Sequence, residues 1–161
     1  MLPTGDPTPF LNKVFHQLEL DRIALDTYEL DHICYRVASI DRYLHFKDLL
    51  NTCGELLVES QIKGRPIATF KLNKAISFRN RAINLLELPA PKEGKSYTEG
   101  YEHIEFVIQE DFQSLMEKYP HLSFDQSGIN KAVNADIRIQ YADFAVKFHH
   151  YNLEYVIKHL D

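Results

Sequence analysis

The spacing of apolar residues predicts two helices in the first third of the chain. In the first helix, apolar residues recur three or four positions apart, as on the buried face of an amphipathic helix, and we expect it at about residues 8–26. The second helix is predicted to begin after Ser39, whose hydroxyl can cap a helix. It is predicted to end before Gly54, because glycine readily takes the left-handed conformation found at helix ends.

After Gly54 the apolar pattern changes to period two, which is typical of strands. Three strands are predicted in this stretch, at residues 55–62, 66–72 and 82–88. Residues 92–100 are polar and contain glycine, so we expect them to link two halves of the chain.

The second half repeats the order of the first. After an initial strand at residues 102–108, the pattern predicts a helix at about 111–118 and strands at about 122–125, 135–141 and 142–149. Asn152 is expected to cap a closing helix at about residues 152–160.

A repeated sequence opens the two halves. Residues 31–37 read Asp-His-Ile-Cys-Tyr-Arg-Val and residues 102–108 read Glu-His-Ile-Glu-Phe-Val-Ile, at an offset of 71 (103 − 32). Each copy precedes a helix and further strands, so the chain is predicted to contain two βαβββ modules, at about residues 30–91 and 101–151. The expected fold class is α+β, with curved mixed sheets around a shared cavity and a helix at each end of the chain.

Strand alternation assigns the repeated residues to two faces of the sheet. The apolar residues of both copies share one face, which we expect to pack under the helices: Ile33, Tyr35, Val37, Ile104, Phe106 and Ile108. His32, Cys34 and Arg36 face the other way, as do His103 and Glu105. Two histidines at equivalent positions on one face indicate a shared site, whereas Glu102 is expected to point away from it.

Two motifs, Asp31-His32-Ile33 and Glu102-His103-Ile104, resemble the openings of the modules in the vicinal oxygen chelate superfamily, which includes glyoxalases and extradiol dioxygenases. Further motifs are similar to the YecM family within it, over roughly residues 30–158: Cys53-Gly54-Glu55-Leu56-Leu57, Gly64-Arg65-Pro66-Ile67, Glu87-Leu88-Pro89, Glu99-Gly100-Tyr101-Glu102-His103-Ile104-Glu105 and Val146-Lys147-Phe148-His149.

This resemblance implies a divalent metal ion held by the first and last strands of each module. His32 and His103 take the first-strand positions and Glu87 the last-strand position of module one. The last strand of module two departs from the superfamily pattern, because Lys147 and His149 stand where a carboxylate is usual. We expect His149 to be the fourth ligand, since a neutral imidazole binds metal ions more readily than an ammonium group does. The ligand types suit zinc, iron(II), manganese or nickel without separating them.

Three other residues are candidates for catalysis on the same face. Glu105 could act as a general base or orient an imidazole. Arg36 could bind a substrate carboxylate through its guanidinium group, a role that Arg65 could also take. Lys147 could offer a positive charge to an anionic substrate. The predicted partner is therefore a small-molecule ligand or substrate, and Arg36 and Lys147 would suit an anionic one.

The composition fits one soluble domain and excludes some partners. The 161 residues carry a formal net charge of −5 with no run of basic residues, which argues against nucleic acid binding. The chain has no long apolar span and does not begin like a secretory signal, so we expect a cytoplasmic protein without a membrane partner. Cys34 and Cys53 are expected to be free thiols. Either a monomer or a homodimer could close the cavity.

Three functions are compatible with these residues. The first is a metal-dependent isomerase, lyase or dioxygenase-like enzyme acting on a small oxygen-rich substrate. The second is a non-catalytic module that binds a small molecule or a metal ion on the same scaffold. The third is a metal-free site in which Cys34 is a nucleophile beside His32.

Overall fold

Both repeat strands lie side by side in one eight-stranded sheet. The computed structural model describes residues 1–160, with these elements in chain order: α1 (Thr8–Leu20), β1 (Glu29–Arg36), α2 (Ile40–Leu50), β2 (Gly54–Ile62), β3 (Arg65–Phe78), β4 (Arg81–Pro89), β5 (Gly100–Val107), α3 (Phe112–Lys118), β6 (Phe124–Asp125), β7 (Asp136–Gln140), β8 (Ala145–His149) and α4 (Leu153–His159).

The strand order is β2-β3-β4-β1-β5-β8-β7-β6. Outward from the central pair β1 and β5, each module contributes its first, fourth, third and second strand in that order. β1 and β5 pair antiparallel in the middle, while each pairs in parallel with the last strand of its own module, β4 or β8. The remaining neighbours are antiparallel in both halves. The sheet is mixed, curved and not closed, so the predicted α+β class and the two βαβββ modules are confirmed.

The apolar face of the repeat lies in the core, as alternation predicted. Ile33 and Ile104 are fully buried and face each other across the central strand pair. Ile33 and Ile104 pack in one cluster with Leu11 and Val14 of α1 and with Leu50 of α2. This packing fixes the register of β1 and β5, because a slip of one residue would turn the apolar side chains of both strands out of the core.

The first helix ends earlier than its apolar pattern predicted, at Leu20 rather than near residue 26. Arg22 takes a left-handed conformation with φ of 60°. The amide groups of Arg22 and Ile23 donate to the carbonyl oxygens of Glu19 and Leu18, which completes a Schellman motif. A non-glycine residue at this position gives little sequence signal, so the apolar residues that follow were wrongly added to the helix.

The closing helix α4 lies on the cavity side of the sheet, where it packs against β2. Asn152 caps it by accepting a hydrogen bond from the Tyr155 amide, as predicted. Leu153, Val156 and Ile157 line the cavity. None of the helices within residues 1–160 is long and apolar enough to span a membrane.

Candidate metal centre

The two repeated histidines converge on one point of the cavity. His32 on β1 and His103 on β5 are both buried, with ring centroids 6.4 Å apart. Their Nε2 atoms lie 4.0 and 3.9 Å from the two carboxylate oxygens of Glu87 on β4. Ligand atoms from these three side chains lie within 4.8 Å of one another, a spacing that could hold a metal ion. The shared location predicted from the repeat is therefore observed.

Each imidazole is oriented by the acidic residue immediately before it. His32 Nδ1 lies 2.9 Å from Asp31 Oδ2, and His103 Nδ1 is hydrogen-bonded to Glu102 Oε2. These contacts favour a proton on Nδ1 and turn Nε2 toward the cavity. Neither Nε2 atom has a hydrogen-bond partner within the described residues.

Glu102 was wrongly expected to point away from the site. Strict alternation fails because the β1–β5 pairing has two irregularities, one between Leu30 and His32 and one between Cys34 and Tyr35. Asp31 and Glu102 are the residues without partners there, and an extra residue of this kind re-aims side chains, as in a β-bulge. The acid before each histidine was visible in the sequence, and its repetition was the signal that could have identified both residues.

Glu105 lies between the two imidazoles and Lys147. Its Oε1 atom is 3.4 Å from His32 Nε2, 3.2 Å from His103 Nε2 and 3.0 Å from Lys147 Nζ. Burial disfavours its charged form, but the positive charge of Lys147 and a protonated His32 outweigh burial and hold the pKa of Glu105 well below its usual range. Glu105 is therefore a buried carboxylate, and it contacts the Nε2 side of both rings.

The strand register makes Lys147 the counterpart of Glu87. Glu87 is opposite Cys34 in the β1–β4 pair, and Lys147 is opposite Glu105 in the β5–β8 pair, where Cys34 and Glu105 are repeat equivalents. His149 lies two residues further along, opposite Val107. The register that was expected to bring His149 to the Glu87 position is therefore not observed.

His149 instead contacts the carboxylate behind His32. It is fully buried, with Nε2 3.1 Å from Asp31 Oδ2 and Nδ1 accepting a hydrogen bond from the Asn134 amide. Asp31 also accepts a hydrogen bond from the Leu153 amide at the start of α4. His149 could share a metal ion with Asp31 and His32, but it does not belong to the group formed by His32, Glu87 and His103.

The other cavity residues differ in their suitability for chemistry. Cys34 is buried, and burial raises the pKa of its thiol, which argues against a reactive thiolate. Arg36 lines the cavity, stacks over the Tyr97 ring at 4.7 Å and forms no salt bridge within residues 1–160. Both Cys34 and Cys53 are free thiols, as predicted.

A cavity of about 920 Å³ opens over these residues, between the two modules. It contains His32, Glu87, His103 and Lys147, together with side chains from α4. Its volume is within the range of small-molecule sites. The arrangement combines a metal-compatible group, a buried carboxylate and several cationic side chains.

Comparison with known proteins identifies relatives along most of the chain. The family model described as YecM protein matches residues 4–141. Protein YecM of Escherichia coli K12 is 30% identical over 145 residues, which cover 79% of this chain and 76% of that protein. An uncharacterized protein of Haemophilus influenzae Rd is 36% identical over 105 residues, covering 65% of this chain. The match spans only 55% of the Haemophilus protein.

A solved structure confirms the architecture. The protein described as structural genomics protein EC4020 superposes with a TM-score of 0.80 at 25% identity, covering 95% of this chain and 88% of that one.

Proposed function

We propose that this chain, which belongs to the YecM family, binds one divalent transition-metal ion through His32, Glu87 and His103 and acts on a small oxygen-rich substrate. The single observation that carries the proposal is the pair of buried Nε2 atoms, which have no hydrogen-bond partner within residues 1–160 and which both lie within 4.0 Å of the carboxylates of Glu87 and Glu105. Burying such atoms is costly unless they gain a partner, and a metal ion bound at both nitrogens would remove that cost.

The residues present fit a metal ion in their chemistry as well as in their position. Two imidazole nitrogens and one carboxylate suit zinc, manganese, nickel or iron(II). Asp31 and Glu102 accept from the opposite nitrogen of each ring, which is the usual support for metal-bound histidine. Lys147 supplies no fourth protein ligand in its charged form, so a three-residue set leaves room for a substrate.

When bound, the metal ion would act as a Lewis acid toward two neighbouring oxygen atoms of the substrate. Glu105 would accept or donate a proton at its Oε1 atom, since this oxygen faces the same region and is accompanied by Lys147. Lys147 would keep Glu105 charged when no substrate is bound. Arg36, which forms no salt bridge within residues 1–160, would orient an anionic oxygen of the substrate.

The proposal is tested by titrating chelator-treated protein with zinc, manganese, nickel and, without oxygen, iron(II) in a calorimeter. We expect saturation at about one ion per chain. His45→Ala, which removes an exposed histidine of α2, is the matched control for His103→Ala. A metal-dependent conversion in a screen of hydroxy-carbonyl and vicinal diol compounds would establish an enzyme. Tight metal binding without any conversion would instead support the non-catalytic module.

A further inference from the structure

The cavity has a buried interior and an exposed mouth that differ in charge. Glu105 and the two histidines are buried in the interior, Lys147 lies 3.0 Å from Glu105, and Glu102 is half-buried. Basic side chains occupy the mouth, where Lys63 and Lys92 are exposed and Arg65 is half-buried. A metal ion would neutralise the interior, whereas the mouth would keep its positive charge.

These cations come from both modules. Lys63 lies in the turn between β2 and β3, Arg65 begins β3, Lys92 follows β4, and Arg138 is on β7 of the other module. All four line the same cavity, and burial together with the positive charges of Arg65, Lys63 and Arg138 lowers the pKa of Lys92. Like charges held together in this way repel unless an anion lies between them.

The chain itself supplies little compensation for this charge. Within residues 1–160, Lys63, Arg65 and Lys92 make no salt bridge, although the net charge of −5 shows that carboxylates are plentiful elsewhere. Arg138 pairs with Asp125 at 2.8 Å. Arg65 donates from Nη1 to the Ala90 carbonyl oxygen, while its buried Nε atom has no hydrogen-bond partner in the described part of the chain. The guanidinium group is thus held in place with a donor unused.

We propose that Arg65, Lys92 and Arg138 bind a doubly charged oxyanion of the phosphate-monoester type at one end of the substrate. The inference rests on the proposed function, because the other end of the same molecule would lie at His32, Glu87 and His103. Several cations that line one cavity favour a dianion over a single carboxylate, and the planar guanidinium group matches the oxygen spacing of phosphate.

Phosphate binding to metal-free protein tests this subsite apart from the metal centre. Inorganic phosphate is titrated into chelator-treated protein and followed by calorimetry and by phosphorus NMR. Arg65→Gln and Lys92→Met should each weaken binding by about tenfold or more, since each removes a charge-assisted contact. Arg22→Gln and Lys74→Met remove exposed basic residues outside the cavity and should bind as the unaltered chain does.

Several outcomes overturn the proposal. These are no saturable phosphate binding, equal affinity in Arg65→Gln and its Arg22→Gln control, or acetate binding as tightly as phosphate. Lys92 is exposed, so Lys92→Met gives a folded variant even if Arg65→Gln loses its thermal transition. His103→Ala should retain phosphate binding. The two proposals can fail separately. If the chain binds no metal ion but binds phosphate in a manner that depends on Arg65, the metal proposal is wrong and the phosphate subsite is supported.

A second experiment compares two ligands to test whether the metal centre and the phosphate subsite bind the same molecule. Glycerol 3-phosphate and glycerol both carry neighbouring hydroxyl groups, but only the first carries the dianion. Manganese-loaded protein should bind glycerol 3-phosphate at least about tenfold more tightly than glycerol, and Arg65→Gln should remove most of that preference. Equal binding of the two probes by the unaltered chain would contradict the assignment.

Discussion

Module one and module two present the same strands to the cavity but differ in the residues at equivalent positions. In module one, Cys34 is opposite Glu87, whereas in module two Glu105 is opposite Lys147. The carboxylate thus lies on the last strand of one module and on the first strand of the other. Module one therefore presents a carboxylate that can be a ligand, while module two neutralises its carboxylate with Lys147.

This difference gives the two halves separate roles under the proposed function. A symmetric pair of last-strand carboxylates would surround a metal ion with four protein ligands. Lys147 takes the place of the second carboxylate, so three protein ligands remain. Glu105 and Lys147 then lie on the side where a substrate would bind. The histidines and the acids behind them, Asp31 and Glu102, remain the same in both halves.

Removing either histidine should have the largest effect, because each imidazole supplies one of the three proposed ligands. His32→Ala or His103→Ala should lower the metal affinity by at least about 100-fold. Calorimetric titration measures the change, with His45→Ala as the control for general effects of histidine loss. Equal affinity in all three variants would mean that the metal ion binds elsewhere.

The acids that orient the rings should come next. Asp31→Asn and Glu102→Gln should each lower metal affinity by about 10- to 100-fold, since each removes the carboxylate that accepts from a ring nitrogen. Glu93→Gln, a change at an exposed acid without a salt bridge, serves as the control. Asp31→Asn should also lower the melting temperature more than Glu102→Gln, because Asp31 additionally contacts His149 and accepts from the Leu153 amide.

Metal binding should strengthen with pH. Burial disfavours the protonated His32 ring, but the negative charges of Glu105 and Asp31 outweigh burial and raise its pKa to about 10. A metal ion must displace this proton, so affinity should rise by about tenfold per pH unit for each proton released. Titrations in buffers of different ionisation enthalpy measure the proton release. A pH-independent affinity between pH 6 and pH 8 would contradict the assignment of His32.

The same pKa shift predicts the stability of the metal-free chain. Because the folded pKa of His32 is raised, its contribution is full below the ordinary pKa of 6.5 and is lost as pH rises toward 10. The melting temperature of the metal-free chain should therefore fall over this range. His32→Gln, which cannot titrate, should flatten the profile.

The smallest effect on metal affinity is expected from Lys147→Met. If the last strand of module two supplies no ligand, the affinity should stay within about threefold of the unaltered value. The pKa of Glu105 should rise in this variant, because its nearest cation is lost. A drop in metal affinity comparable to that of His103→Ala would show that Lys147 takes part in metal binding.

The histidine pair could be predicted from sequence because the repeat that contains both residues can be recognised without knowing which strands pair. Once His32 and His103 are equivalent, strand alternation alone puts them on one face. Glu87 required the family resemblance, since nothing in its immediate neighbourhood distinguishes it from a solvated glutamate near a strand end. The fold class followed from the same repeat, and the cap of α4 followed from a local pattern.

The errors at the candidate site arose where structure depends on pairing between distant strands. Ligand chemistry favoured His149 over Lys147, but the position of each residue depends on the pairing of β8 with β5, which puts Lys147 opposite Glu105 and His149 opposite Val107. Glu102 was assigned to the wrong face because the irregularity that re-aims it exists only in the β1–β5 pair. Nothing in the sequence connects Lys92 with Arg138, since residues from opposite modules meet only after the sheet has curved.

Anomalous scattering from crystals grown with manganese or zinc tests the central claim most directly. We expect one strong anomalous difference peak per chain, within about 2–2.3 Å of His32 Nε2, His103 Nε2 and a carboxylate oxygen of Glu87. Diffraction data on both sides of the absorption edge identify the ion. A peak between Asp31 and His149, or no peak in the cavity at saturating metal, would contradict metal binding by His32, Glu87 and His103.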